Sequence, residues 1–122
     1  MVEDDHVIAQ MYKLRLELAG WAVEVAEDGA SGLRAALSSQ PDLVVLDMSM
    51  PKLDGIQVLE ALRSDPSTSS LPVVVLSNSA GSGRKEAKAR QLGILDWLVK
   101  AKTEPAKLAE LIASYLAKSP RP

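Results

Sequence analysis

Short apolar runs alternate along the chain with segments of helical period. Leu43, Val44, Val45 and Leu46 form one run, introduced by Pro41 and Asp42 and closed by Asp47. Val73, Val74, Val75 and Leu76 form another, after Pro72 and before Ser77, and Trp97, Leu98 and Val99 lead into Lys100. Strands buried on both faces are apolar on successive residues in this way, as in a parallel sheet covered by helices. Trp21 to Ala26 alternates instead, Val23 and Val25 with Ala22 and Glu24, which predicts an edge strand with one wetter face.

Helices are expected between these runs. Val7, Met11, Leu14 and Leu18 share one face of a first helix, and Ala30, Leu33 and Leu37 do the same after Gly29. Ile56, Leu59 and Leu62 follow Asp54 and Gly55. Arg84 to Leu92 is a more polar helix ended by Gly93. Leu108, Leu111, Ile112, Tyr115 and Leu116 give the fullest stripe, its start marked by Thr103 and Pro105. Residues 64–70 read as a loop and 118–122 as a tail beyond a single domain spanning 1–117. No internal repeat is present. Strands alternating with helices imply an α/β fold with right-handed crossovers, whose ligand site lies beyond the carboxyl ends of the strands. Those ends carry Glu3 and Asp4 after Val2, then Asp47, Ser77 and Lys100.

Composition narrows the chemistry. With 122 residues, 47% hydrophobic and 25% charged, the chain can bury one real core. A formal net charge of -2 argues against electrostatically driven nucleic-acid binding, and 3% aromatic residues argue against base stacking. Cysteine is absent, which excludes disulfides, cysteine-ligated zinc and thiol catalysis. No apolar run approaches the roughly 20 residues of a membrane span, and no signal-peptide pattern opens the chain, so a cytoplasmic location without membrane partners is expected. The carboxylates of Glu3, Asp4 and Asp47 repel one another unless a hard divalent cation joins them, and Mg²⁺ prefers such oxygen ligands. Lys100 adds a positive charge for phosphoryl oxygens and Ser77 a hydrogen-bond donor. These are parts for phosphoryl transfer to a carboxylate.

With these residues the sequence resembles the receiver domains of two-component response regulators. The motifs are Val-Glu-Asp-Asp at 2–5, Leu-Asp-Met-Ser-Met-Pro-Lys-Leu-Asp-Gly at 46–55, Pro-Val-Val-Val-Leu-Ser at 72–77 and Asp-Trp-Leu-Val-Lys at 96–100. Together and in order they are highly specific. The resemblance implies a flavodoxin-like, doubly wound parallel sheet of five strands in the order 2-1-3-4-5, an order for which a chemotaxis receiver is a standard example. It implies Asp47 as phospho-acceptor, with Glu3, Asp4, Asp47 and the carbonyl of Ser49 around Mg²⁺, and Asp5 outside the first shell. Lys100 would bind the phosphoryl group, Ser77 would be the switch hydroxyl, and Trp97 stands at the family's rotating aromatic. Ser49 and Ser79 flank the site by family position and would set the lifetime of the phosphoryl group. Implied partners are a sensor histidine kinase or phosphotransfer protein and a downstream target protein, with a homodimer possible and no nucleic acid. Catalysis would extend at most to self-phosphorylation and self-dephosphorylation.

The chain departs from the family pattern at three places. Only Met1 and Val2 precede Glu3, so the first strand is abnormally short or missing; a late-starting N-terminus is favoured over a compromised sheet or a strand supplied by another chain. The family's lysine is usually followed by a cis proline, whereas Ala101 follows Lys100, and a cis bond before a non-proline residue costs about 2.5–4 kcal/mol. The stretch 79–84 is rich in Gly and Ser, so a mobile start of the fourth helix is expected. Blander readings compete: Asp47 as a turn cap, Glu3 to Asp5 as a solvated acidic terminus, Lys100 as a surface lysine, Trp97 as a packing aromatic, and His6 as a surface histidine. Arg84, Lys85, Lys88 and Arg90 read as a solvated helix face. The alternative function is a degenerate receiver, a phosphorylation-independent binding or dimerisation module.

Overall fold

The computed structural model describes residues 1–2, 5–48, 54–77 and 84–118. Three parallel strands, β1 (Val44–Leu46), β2 (Val73–Ser77) and β3 (Asp96–Val99), lie side by side in that order. Val45 pairs with Val74, and Ser77 with Val99. Five helices surround them: α1 (His6–Leu18), α2 (Gly29–Ser39), α3 (Gly55–Ser64), α4 (Arg84–Leu92) and α5 (Pro105–Lys118). Every residue of β1 and β2 is buried, as their unbroken apolar runs require.

The pleat divides the core in two. Val44, Leu46, Val73 and Val75 pack with Ala36 of α2, Leu59 and Leu62 of α3 and Ala89 of α4. Val45 and Leu76 point the other way, onto Tyr12 and Leu16 of α1 and Leu108 and Ile112 of α5. The ends of the helices are fixed by named groups. Asp5, Asp28 and Asp54 cap α1, α2 and α3 by accepting from the amides of Ile8, Ser31 and Gln57, and the Gln57 side chain accepts back from the Asp54 amide to close a capping box. Gly93, at φ 91, ends α4 in the left-handed region. Arg63 of α3 donates to the carbonyls of Leu92 and Gly93, so α4 ends on a fixed partner.

The first strand is as short as its sequence. Val2 alone bridges Ala26 on one side and Leu46 on the other, both parallel. Read across the sheet, Ala26, Val2, β1, β2 and β3 stand in the order 2-1-3-4-5. The edge strand expected over Trp21 to Ala26 is reduced to that bridge at Ala26: a strand needs a ladder beside it, and of the described residues Met1 and Val2 supply the hydrogen bonds to it.

The first helix corrects the sequence reading. Val7, Met11, Leu14 and Leu18, the face its spacing picks out, are 67%, 55%, 62% and 71% exposed. Ala9, Tyr12 and Leu16 are buried instead. Both rows have helical spacing, so periodicity could not choose between them; Tyr12 decides it, because its hydroxyl donates to the Thr103 carbonyl ahead of α5. In α2 the buried positions are likewise Gly29, Gly32 and Ala36, with Leu37 at the exposed margin, since a Cβ at Gly32 would meet the Val2 side chain at 2.6 Å. The other helices follow the pattern, and α4 carries its Arg84, Lys85, Lys88 and Arg90 face outward with Arg90 paired to Glu86. His6 is exposed, 3.9 Å from Glu27. No peptide bond among the described residues is cis; Lys100–Lys102 winds into a 3₁₀ turn. The stretch 79–83 and the tail 119–122 lie outside the described residues.

Truncating each row of α1 separates them. Leu16→Ala should cost about 2–5 kcal/mol in urea unfolding, and Leu14→Ala less than about 0.5 kcal/mol. The reverse ranking would contradict the placement of α1.

Candidate functional site

Parallel strands end at one edge, and that edge collects the chemistry. Asp47 follows β1, Ser77 closes β2 and Lys100 follows β3. The Lys100 Nζ lies 3.3 Å from Asp47 Oδ2, with the two side chains 10% and 3% exposed. A buried ion pair of this kind survives only where both charges are held by the fold. Ser77 is buried in the same rim. The reading of Lys100 as a surface lysine does not fit: its side chain is 10% exposed and its ammonium faces the Asp47 carboxylate.

The residues around this pair explain its position. Met48 is buried, and Gly55 donates its amide to the Met48 carbonyl at 3.1 Å. A Cβ at Gly55 would stand 2.6 Å from the Asp47 carbonyl oxygen and 2.7 Å from the Met48 Cα, so α3 can start this close to Asp47 only with glycine there. On the other side Thr103 donates its hydroxyl to the Val99 carbonyl, and its own carbonyl takes the Tyr12 hydroxyl. This anchors the turn that carries Lys100. Gly55, Thr103 and Tyr12 are positioning residues that the sequence reading did not single out for the site. The signal for Gly55 was its place at the end of the 46–55 motif.

Asp5 caps α1 by accepting from the Ile8 amide. Glu3, Asp4 and Ser49, expected with Asp47 around Mg²⁺, lie outside the described residues, as does Ser79. Among the described residues no group of three acidic or histidine side chains stands ready for a metal. Asp47 supplies a hard carboxylate oxygen donor at the strand ends, which is of the type Mg²⁺ takes.

Trp97 is half-buried and packs on the larger core cluster. Beside it, Tyr115 of α5 donates its hydroxyl to Asp96 Oδ2 at 2.9 Å. Burial and the neighbouring Asp96 carboxylate push the Tyr115 phenol up to about 12.

A model of the family described as "Response regulator receiver domain" matches residues 1–113. The chain belongs to that family. A curated relative, the DNA-binding dual master transcriptional regulator RpaA of Synechocystis sp., is 34% identical over 117 residues, 96% of this chain and 46% of that protein. The chain thus spans about half the length of the curated relatives it matches. The chemotaxis protein CheY4 of Vibrio cholerae superposes with a TM-score of 0.84 at 29% identity, covering 93% of this chain and 92% of that one. The receiver domain of the sensor histidine kinase PA1611 of Pseudomonas aeruginosa, with magnesium coordinated in its active-site cleft, gives 0.84 at 25% identity, covering 95% and 93%. These matches establish the receiver fold and the signalling class. They also overturn the expectation that nucleic acid plays no part among the partners: a relative is named as DNA-binding, over a length about twice that of this receiver. The net charge of -2 describes these 122 residues, whereas the relative named as DNA-binding is about twice as long. No helix among the described residues is long and apolar enough to cross a membrane.

Two measurements test these contacts. Lys100→Ala should lose about 3–5 kcal/mol, since it strands a buried carboxylate, and less in an Asp47→Ala background; a double-mutant cycle without coupling would refute the ion pair. A phenol raised to about 12 keeps its proton longer folded than unfolded, where it titrates near 10. The folded form then binds more protons in that window, so stability should fall as pH rises from 10 through 12. Tyr115→Phe should flatten that slope in urea titrations.

Proposed function

We propose that this receiver accepts a phosphoryl group on Asp47 from the phosphohistidine of a sensor kinase or phosphotransfer protein. The contact that supports it is the buried pair of Asp47 and Lys100, 3.3 Å apart at the strand ends. An Asp47 carboxylate oxygen attacks phosphorus, an O–P bond forms, and the P–N bond to the donor imidazole breaks. The imidazole nitrogen keeps the electron pair and takes a proton from solvent. Lys100 moves its ammonium from the carboxylate to the phosphoryl oxygens, where transfer is mainly a matter of positioning and charge neutralisation. Ser77 donates its hydroxyl to the same oxygens.

Glu3, Asp4, Asp47 and the Ser49 carbonyl would hold Mg²⁺, which when bound neutralises phosphoryl oxygens and relieves the repulsion among the carboxylates. Inward movement of Ser77 and Lys100 acts on neighbours of Trp97, which packs beside the face made by α4, β3 and α5. The new arrangement of that face is what a downstream protein reads. The exposed row Val7, Met11, Leu14 and Leu18 on α1 repeats at heptad spacing, a seam suited to a helical phosphodonor.

Intact-mass analysis with a small phosphodonor and Mg²⁺ should show one added phosphoryl group on the wild type and none on Asp47→Ala. Labelling that survives this substitution would refute Asp47. Mg²⁺ at ten times its dissociation constant should stabilise the fold by about 1.4 kcal/mol, and an unchanged Tm across a millimolar titration would refute the metal site.

A further inference from the structure

Val7, Met11, Leu14 and Leu18 put large exposed apolar side chains on one face of α1. Contiguous apolar surface rimmed by charge marks an association site. Beside the C-terminal half of that row, a groove of about 310 Å³ lies between α1 and α5. Its two banks differ. The α1 bank carries Arg15 and the large Leu18, and the α5 bank carries Glu110 and the small Ala106, Ala109 and Ala113. Arg15 and Glu110 are both exposed. Neither side chain has an ion pair among the described residues.

The two banks run the same way along one face of the sheet. Tyr12 meets Thr103 just ahead of α5, and further on Arg15 and Leu18 line the groove with Ala106 to Ala113. A two-fold axis along the groove therefore lays the α1 of one copy over the α5 of another. Each feature of one bank then meets its complement: Leu18 descends on alanines that leave room for it, and Arg15 faces a carboxylate. A surface that is complementary to itself under a two-fold operation is what an isologous dimer requires. A two-fold axis across the groove would instead stack like bank on like bank and oppose like charges.

We propose that this face joins two copies of the chain, with α1 of each lying on α5 of the other. The dimer contains the same ion pair twice, Arg15 with the partner's Glu110 and Glu110 with the partner's Arg15. Charge favours a second copy as the occupant. A partner of one sign would leave either Arg15 or Glu110 facing its like, whereas a second copy satisfies both. Leu18 also belongs to the seam suited to a helical phosphodonor, so the dimer and the donor exclude one another there. The dimer does not depend on phosphoryl transfer at Asp47, and its association is read with no phosphodonor present.

Sedimentation equilibrium of the 122-residue chain should show monomer and dimer in a concentration-dependent balance. Arg15→Glu alone, or Glu110→Arg alone, opposes like charges at both contacts and should weaken association about tenfold or more. Both reversals in one chain restore the pairing with the signs exchanged, and an equimolar mixture of the two single variants restores it between unlike chains. Each should recover the wild-type dissociation constant to within about threefold. Because both positions are exposed, the variants should keep the wild-type thermal melt. A chain that stays monomeric up to about 1 mM would overturn the proposal. A dimer unmoved by the single reversals would also overturn it, by placing the contact on another face. So would single reversals that dissociate the dimer without recovery in the double variant or the mixture.

Discussion

The buried contact between Asp47 and Lys100 is what the rest of the molecule is arranged to hold. Two opposite charges at the end of a sheet, 3.3 Å apart and almost out of water, are costly unless their backbones are rigid. The rigidity comes from β1 and β2, whose side chains leave no room to shift. Gly55 lets α3 start directly behind Asp47. The Tyr12 hydroxyl on the Thr103 carbonyl fixes the turn that follows Lys100, and it draws α1 onto α5 in doing so. One ion pair at the rim thus constrains helices on both faces of the sheet. On the function proposed above, a phosphoryl group on Asp47 would change the charge at this point, where only a narrow range of geometries fits.

The first strand, beside Asp47, is less constrained. Val2 alone spans the gap between Ala26 and Leu46, and its side chain fills the notch that Gly32 leaves open. Glu3 and Asp4 follow Val2 directly in the chain. Val2 is thus held by a single residue's ladder, whereas Asp47 and Lys100 each follow a paired strand.

Much of this was legible in the sequence. The runs at 43–46 and 73–76 are continuous because both faces of those strands are covered, and no other common arrangement gives that pattern. Asp47, Ser77 and Lys100 could be brought to one edge from topology alone. What remained hidden had physical reasons. Helix α1 has two apolar rows, and the row with the larger side chains faces outward; only the Tyr12 hydroxyl, with a partner 91 residues away, tells them apart. Trp21–Val25 reads as a strand by alternation, yet a strand is made by its neighbours as much as by its own side chains. The 3₁₀ turn after Lys100 had no local signal beyond the absence of proline.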